Sequence, residues 1–230
     1  MISDYIKIMY PEDSKNEYPA QLCEYLSDHY LENFKNKKVK FLDLGCGRGT
    51  QIKEFMQIFE GNFHGIDLSR SEIKNVTVKS CNLEEESLDY ESNFFDIVFS
   101  KSVIEHVSNT ENFIREVYRV LKPGGVFIVM APDWQTQMKN FYDDFTHVKP
   151  FTIRSLSAVL KTYGFEKVDV NLFTQLPLVW KYPLLQYLCD IIRCTFPEKL
   201  KWKSKTGRNT KDRKWIRFSK EKMLIGVCTK

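Results

Sequence analysis

Two groups of polar residues in this 230-residue chain have the types and spacing for chemistry. The first is Asp43, Gly45, Cys46, Gly47 and Gly49, an acid followed by glycines at every second position. Glycine tolerates positive φ and lets a ligand press against bare backbone, so this spacing suits a loop wrapped round a small molecule. Amides at the start of a following helix would point into the same space. The second group is Asp144-Phe145-Thr146-His147. Here Asp144 could orient His147, and an oriented imidazole can take a proton from an attacking hydroxyl. The competing reading is a loop that both residues merely pin, ahead of a helix capped by Thr152. His106 is a second imidazole with two open roles, a wall or base of an active site or a structural residue at a helix start.

The elements that must position these residues follow from periodicity. Val39, Phe41, Leu42 and Leu44 give a short run with few polar interruptions, as in a strand buried on both faces, and residues 51–59 put Ile52, Phe55, Met56 and Phe59 on one helical face. The first glycine group therefore lies on a strand-to-helix turn. A second strand over 62–68 ends at Asp67, whose carboxylate suits two ribose hydroxyls; an acidic cap for a helix starting near Ser69 fits the same residue. Strands are also predicted over 76–80, from Phe95 to Ser100, and over 126–130, 165–172 and 223–228. Helices are predicted over 17–37, 109–121 and 153–163, the second stopped by Pro123, Gly124 and Gly125. The glycine spacing excludes two nucleotide loops. A dinucleotide fingerprint needs glycine where Thr50 stands, and no Gly-Lys-Ser/Thr follows as in a P-loop.

The order Asp43, Gly45, Gly47, Gly49 resembles the first motif of the class I S-adenosylmethionine-dependent methyltransferases. Phe95-Asp96 opening a strand that leads to Glu105-His106, and Leu121-Lys122-Pro123-Gly124-Gly125 before an apolar strand, resemble the same family over residues 41–131. The resemblance implies an α/β fold with a doubly wound, Rossmann-like seven-stranded sheet, helices on both faces, and an antiparallel last strand inserted between the fifth and sixth. It implies S-adenosyl-L-methionine as cofactor, held by Asp43, Gly45, Cys46, Gly47 and Gly49, by Asp67 with Leu68, by Asn82 with Leu83, and by Ser100 and Lys101. Asn82 stands where the family often has an acid; its carbonyl can accept from the adenine amino group, and a surface turn competes. Asp-x-Thr-His followed by Phe-Thr resembles a subset associated with sugar or polysaccharide modification. The expected acceptor is thus a hydroxylated small molecule or glycan, and the expected reaction O-methylation by His147, with Asp144 and His106 in support.

Composition bounds the rest. Six cysteines form no CxxC pair and no metal-ligand spacing with the four histidines, so no metal is expected and a reduced, cytoplasmic protein is the simpler reading. The expected organisation is a helical segment over 1–38, a core over 39–173 and 221–230, and an insertion over 174–220. The insertion is apolar in its first half, then basic: nine Lys or Arg stand against one acid between Lys199 and Arg217, although the whole chain is only +4. A lid, an oligomer contact, a solvated loop and a foot touching an anionic membrane all fit. Nucleic acid is disfavoured as substrate, because Ser100-Lys101-Ser102-Val103 carries no Asn/Asp-Pro-Pro-aromatic loop for holding a flipped base. A binding module without turnover is the remaining alternative.

Overall fold

The computed structural model describes residues 17–69, 71–201 and 214–230. Strand β1 (Lys38–Leu44) buries Phe41 on one face and Leu42 on the other, so it runs through the centre of the molecule. It is joined by β2 (Glu60–Asp67), β3 (Val76–Ser80), β4 (Phe95–Lys101), β5 (Leu121–Pro132), β6 (Glu166–Phe173) and β7 (Met223–Thr229). These form one seven-stranded sheet in the order β3-β2-β1-β4-β5-β7-β6. The first five strands pair in parallel, and β7 runs antiparallel between β5 and β6.

Both faces are covered. Helices α1 (Tyr18–Tyr30) and α2 (Thr50–Ile58) bring Leu22, Leu26, Ile52 and Phe55 against Phe41, Ile97, Phe99 and Ile128. On the opposite face α3 (Thr110–Val120) supplies Phe113, Val117 and Val120, while Leu156 and Leu160 come from helix 153–162, all packed on Leu42, Leu44, Val98 and Phe127. Truncating a fully buried leucine in such a layer, as in Leu42→Ala, costs about 2–5 kcal/mol. The chain winds outward from the β1–β4 junction, toward β2 and β3 on one side and β5 on the other. In open α/β sheets ligands bind outside the carboxyl ends of the strands at such a switch point.

Two local expectations are revised. Residues 121–125 are not only a turn: β5 already pairs at Phe95–Leu121 and again at Ile97–Val126, so these residues bulge within the strand. Asp96 anchors this entry, accepting from Lys40 N–H at 2.8 Å and Lys122 Nζ at 2.6 Å. No helix starts near Ser69 among the described residues; Asp67 closes a turn there instead.

After β5 come α4 (Trp134–Gln137), a 3-10 turn Phe141–Asp143, and α5 (Ile153–Thr162), which opens with a capping box between Thr152 and Ser155. Beyond β6, residues 174–220 form α6 (Pro177–Lys181), α7 (Leu185–Thr195), a 3-10 turn Glu198–Lys201 and α8 (Lys214–Lys220). Most of the basic run expected there, residues 202–213, lies outside the described residues.

Candidate active site

The loop between β1 and α2 holds Gly45, Gly47 and Gly49 at φ +76°, +51° and +78°. Such angles strain any residue with a Cβ. Packing adds a second constraint at Gly45, where a Cβ would collide with Val103. Gly47 differs, since a Cβ there would meet nothing within 4 Å and would project into open space. The loop is tied to the neighbouring strand by Gly45 N–H and Cys46 N–H, which donate to Ile66 O at 2.7 and 3.0 Å. Gly47 N–H donates to Asp67 Oδ2 at 2.9 Å, and Asp67 Oδ1 accepts from Ser69 N–H and Oγ. Leu68, next to it, is exposed.

Beneath the loop Asp43 is buried, with Oδ2 lacking a hydrogen-bond partner. Burial, reinforced by the Asp67 charge, pushes its carboxyl up to about 7, while Lys101 acts in the opposite sense. Lys101 closes β4, and burial lowers its ammonium below the usual range against the charges of Glu105 and Asp43. Ser100 is buried and donates to Leu44 O at 3.3 Å, bracing β4 against β1. Burial also raises Cys46, up to about 12, which keeps it a thiol.

Past β3 Asn82 lies in a turn, with one lone pair of its carbonyl engaged and the other left for the expected adenine contact. Its short side chain folds back so that Oδ1 accepts from Glu84 N–H at 3.2 Å, and the Glu86 side chain reaches back to accept from the Asn82 backbone N–H at 2.6 Å. Leu83 beside it is buried in the core.

The two histidine-bearing segments meet. A 3-10 turn, Ile104–His106, follows β4, and Glu105 O accepts from both Val148 and Lys149 N–H at 2.9 Å, clasping the loop after β5. The imidazoles of His106 and His147 consequently lie 4.7 Å apart, centroid to centroid. His106 Nδ1 is 3.2 Å from Thr146 O and 2.9 Å from Thr146 Oγ1, and Oγ1 donates to Asp144 Oδ1 at 2.7 Å. His147 Nδ1 is 2.6 Å from Phe141 O. A carbonyl only accepts, so both rings carry the proton on Nδ1 and the lone pair on Nε2. Burial lowers His106 below the usual imidazole range.

This geometry corrects one expectation. Asp144 does not orient His147 through a hydrogen bond: its Oδ2 stands 4.0 Å from Nε2, while Phe141 O holds the other nitrogen. Asp144, itself buried, instead shapes the turn by accepting from Thr146 N–H and Oγ1. Glu105, to which the sequence motif assigns no role, belongs to the same cluster. It is buried, neither carboxylate oxygen has a hydrogen-bond partner, and burial pushes its pKa up to about 8. Its place beside His106 was the available signal.

Residues 42–129 match the family described as Methyltransferase domain. Among curated proteins the chain is similar to sterol 24-C-methyltransferase erg6 of Schizosaccharomyces pombe, 29% identical over 195 residues, covering 73% of this chain and 50% of that protein. It is also similar to the mitochondrial ubiquinone biosynthesis O-methyltransferase of Mus musculus, 35% identical over 105 residues, 40% of this chain and 28% of that one. The chain thus spans about half the length of the sterol enzyme. Among solved structures, a SAM-dependent methyltransferase from Archaeoglobus fulgidus shares the fold with a TM-score of 0.64 at 19% identity, covering 100% of both chains. The names of these relatives differ in the atom methylated, carbon in one and oxygen in the other.

Proposed function

We propose that this chain, whose residues 42–129 match a methyltransferase domain and whose fold is shared by a SAM-dependent methyltransferase, binds S-adenosylmethionine and methylates a hydroxyl oxygen of a small molecule or glycan. Two features support the cofactor: the open space a Cβ at Gly47 would fill, and the buried, unpartnered Asp43 Oδ2 beneath it. Asp43, the loop Gly45-Cys46-Gly47-Gly49, Asp67 with Leu68, the 82–83 turn through Leu83, and Ser100 with Lys101 would hold it. S-adenosylmethionine supplies a methyl group that its own sulfonium already activates. The protein is left to align the acceptor, exclude water and activate a neutral hydroxyl.

The observation that carries the oxygen reading is the committed tautomer of His147. With Nδ1–H directed to Phe141 O, the Nε2 lone pair is what this corner offers for activating a hydroxyl, and His106 and Glu105 flank it. Nitrogen acceptors that are already unprotonated have less use for such a group.

The test is transfer of isotopically labelled methyl from S-adenosylmethionine to hydroxylated sugars and lipid-linked glycans, with the product linkage read by mass spectrometry. An oxygen ether is expected; transfer only to amines or carbon would overturn the proposal. A membrane-borne acceptor is favoured by α6, α7 and the link between them, which expose Leu178, Tyr182, Leu184, Tyr187, Leu188 and Ile191 just upstream of the basic run. Among the described residues no helix is long and apolar enough to cross a membrane.

A further inference from the structure

Glu105, His106 and His147 each bring one ligand-type atom to a common point, all within 4.8 Å of one another. His106 comes from the turn after β4 and His147 from the loop after β5, and the Glu105 carbonyl clasps the two together. Three properties of the cluster are those of a cation site.

First, Glu105 is 1% exposed and neither carboxylate oxygen is hydrogen-bonded to another residue, so a negative charge there is met only by the Glu105 backbone N–H and the nearby Lys101 ammonium. Lys101 acts on it electrostatically without a hydrogen bond. Second, each imidazole donates Nδ1–H to a main-chain carbonyl, Thr146 O for His106 and Phe141 O for His147. This arrangement fixes the tautomer of metal-binding histidines and leaves the Nε2 lone pair as the ligand. Third, two imidazoles and one carboxylate make a mixed nitrogen and oxygen set that suits first-row divalent ions over calcium or magnesium, and three protein ligands leave coordination positions open.

We propose that Glu105, His106 and His147 bind a divalent transition-metal ion of the zinc and manganese class, whose open positions take the oxygen of the methyl acceptor. Binding requires modest closure, because tetrahedral ligands at zinc distances stand about 3.4 Å apart. The Glu105 side chain, held by no hydrogen bond to another residue, can turn to supply it. Asp144, with Oδ2 at 4.0 Å from His147 Nε2, adds negative charge beside the ion. The role for the ion rests on the methyl-transfer reading; the binding itself does not. A hydroxyl bound to the metal loses its proton more readily, the oxygen attacks the sulfonium-borne methyl, the methyl–sulfur bond breaks, and the proton passes to solvent. His147 then acts through its lone pair as a ligand.

The experiment uses the full chain, stripped with a chelator and titrated with Zn2+, Mn2+ and Co2+ by calorimetry, with the Co2+ absorption spectrum as an independent readout. Wild type is expected to take up one equivalent. Glu105→Gln, nearly isosteric, and His147→Ala are each expected to weaken binding by roughly 100-fold or more and to alter the Co2+ bands. Folding is checked by circular dichroism, and Glu105→Gln keeps the test decisive if a histidine variant misfolds. No uptake of any of the three ions by wild type, or equal uptake by wild type and both variants, overturns the site. S-adenosylmethionine binding is measured on the same samples. Cofactor binding without metal uptake sinks the metal proposal alone, and metal uptake without cofactor binding sinks the methyl-transfer reading alone.

Discussion

Gly47 donates its backbone N–H to Asp67 Oδ2 at 2.9 Å, so the carboxylate at the tip of β2 is also a strut of the glycine loop. Asp67→Ala should therefore do two things. On the proposed ribose role it removes two acceptors, which should weaken S-adenosylmethionine binding by about 2–4 kcal/mol, or on the order of thirty-fold or more. It also frees Gly47 and Ser69 N–H, lowering the melting temperature of the protein without cofactor. Asp67→Asn, which keeps one acceptor oxygen, should lose less of both. Calorimetry and thermal melts on the two variants check this; full affinity in Asp67→Ala would remove the residue from the site.

The glycines of the loop separate by mechanism. Gly45→Ala should destabilise the fold through its collision with Val103, and a second change, Val103→Ala, should recover part of the loss. Gly47→Ala meets no neighbour, so its cost in the free protein is only the φ of +51°, about 1–2 kcal/mol. Its Cβ occupies the space assigned to the ligand, and Gly47→Val should abolish cofactor binding in a protein that still folds. Normal binding by Gly47→Val would mean the cofactor lies elsewhere.

What the sequence disclosed was local. Apolar runs and periodicity predict β1, the glycine loop and α2 because those patterns are properties of neighbouring residues, and the seven-stranded order followed from the family resemblance. The side chains whose roles depend on distant backbone stayed hidden. Asn82 turns its carbonyl to Glu84 N–H, a choice its composition leaves open. The orientation of His147 comes from Phe141 O, and main-chain carbonyls leave no mark in a sequence. Glu105 gains meaning only where the loops after β4 and β5 clasp. Lys201, read as part of a charged run, is 2% exposed and bonded to Asn140, Glu198 and Glu221, so part of that run is internal structure.

Asp43 gives a pH signature. Its carboxyl is raised to about 7 from an ordinary value of 3.8, so the folded state holds the proton more tightly than the unfolded one. Its favourable contribution is complete below pH 4 and is lost as pH rises to about 7, at close to 1.4 kcal/mol per pH unit in mid-window. Asp43→Asn should remove this dependence. The difference in unfolding free energy between wild type and variant, measured without cofactor from pH 4 to pH 8, should move in favour of the variant as pH rises. A flat difference would show that Asp43 is not desolvated.

For the α6–α7 surface, association with anionic lipid vesicles should fall steeply as salt rises, because surface attraction is screened within a Debye length. Leu184→Asp with Ile191→Asp, on exposed positions, should cut vesicle binding without altering stability by more than about 0.5 kcal/mol. Cosedimentation measures the first and denaturant unfolding the second. Unchanged partitioning of the double variant would release this face from a membrane role.

Asp144 offers the sharpest distinction between orienting an imidazole and shaping a loop. Its Oδ1 holds Thr146 Oγ1 at 2.7 Å, and Thr146 in turn contacts His106 Nδ1, whereas His147 is held by Phe141 O. Loss of the carboxylate should therefore reach His106 through Thr146 and leave the His147 tautomer in place. His147→Ala is expected to lower turnover by about 10² to 10⁴ with cofactor affinity nearly intact. Asp144→Asn should lower it by roughly 10-fold, and Thr146→Val should reproduce most of that smaller loss, since it breaks the same link one atom further on. Nitrogen-detected NMR of the imidazoles adds a readout independent of turnover: in Asp144→Asn the His106 resonances should shift and the Nδ1-protonated form of His147 should persist. If Asp144→Asn costs as much as His147→Ala and switches the His147 tautomer, the aspartate is its orienter and the carbonyl of Phe141 is not.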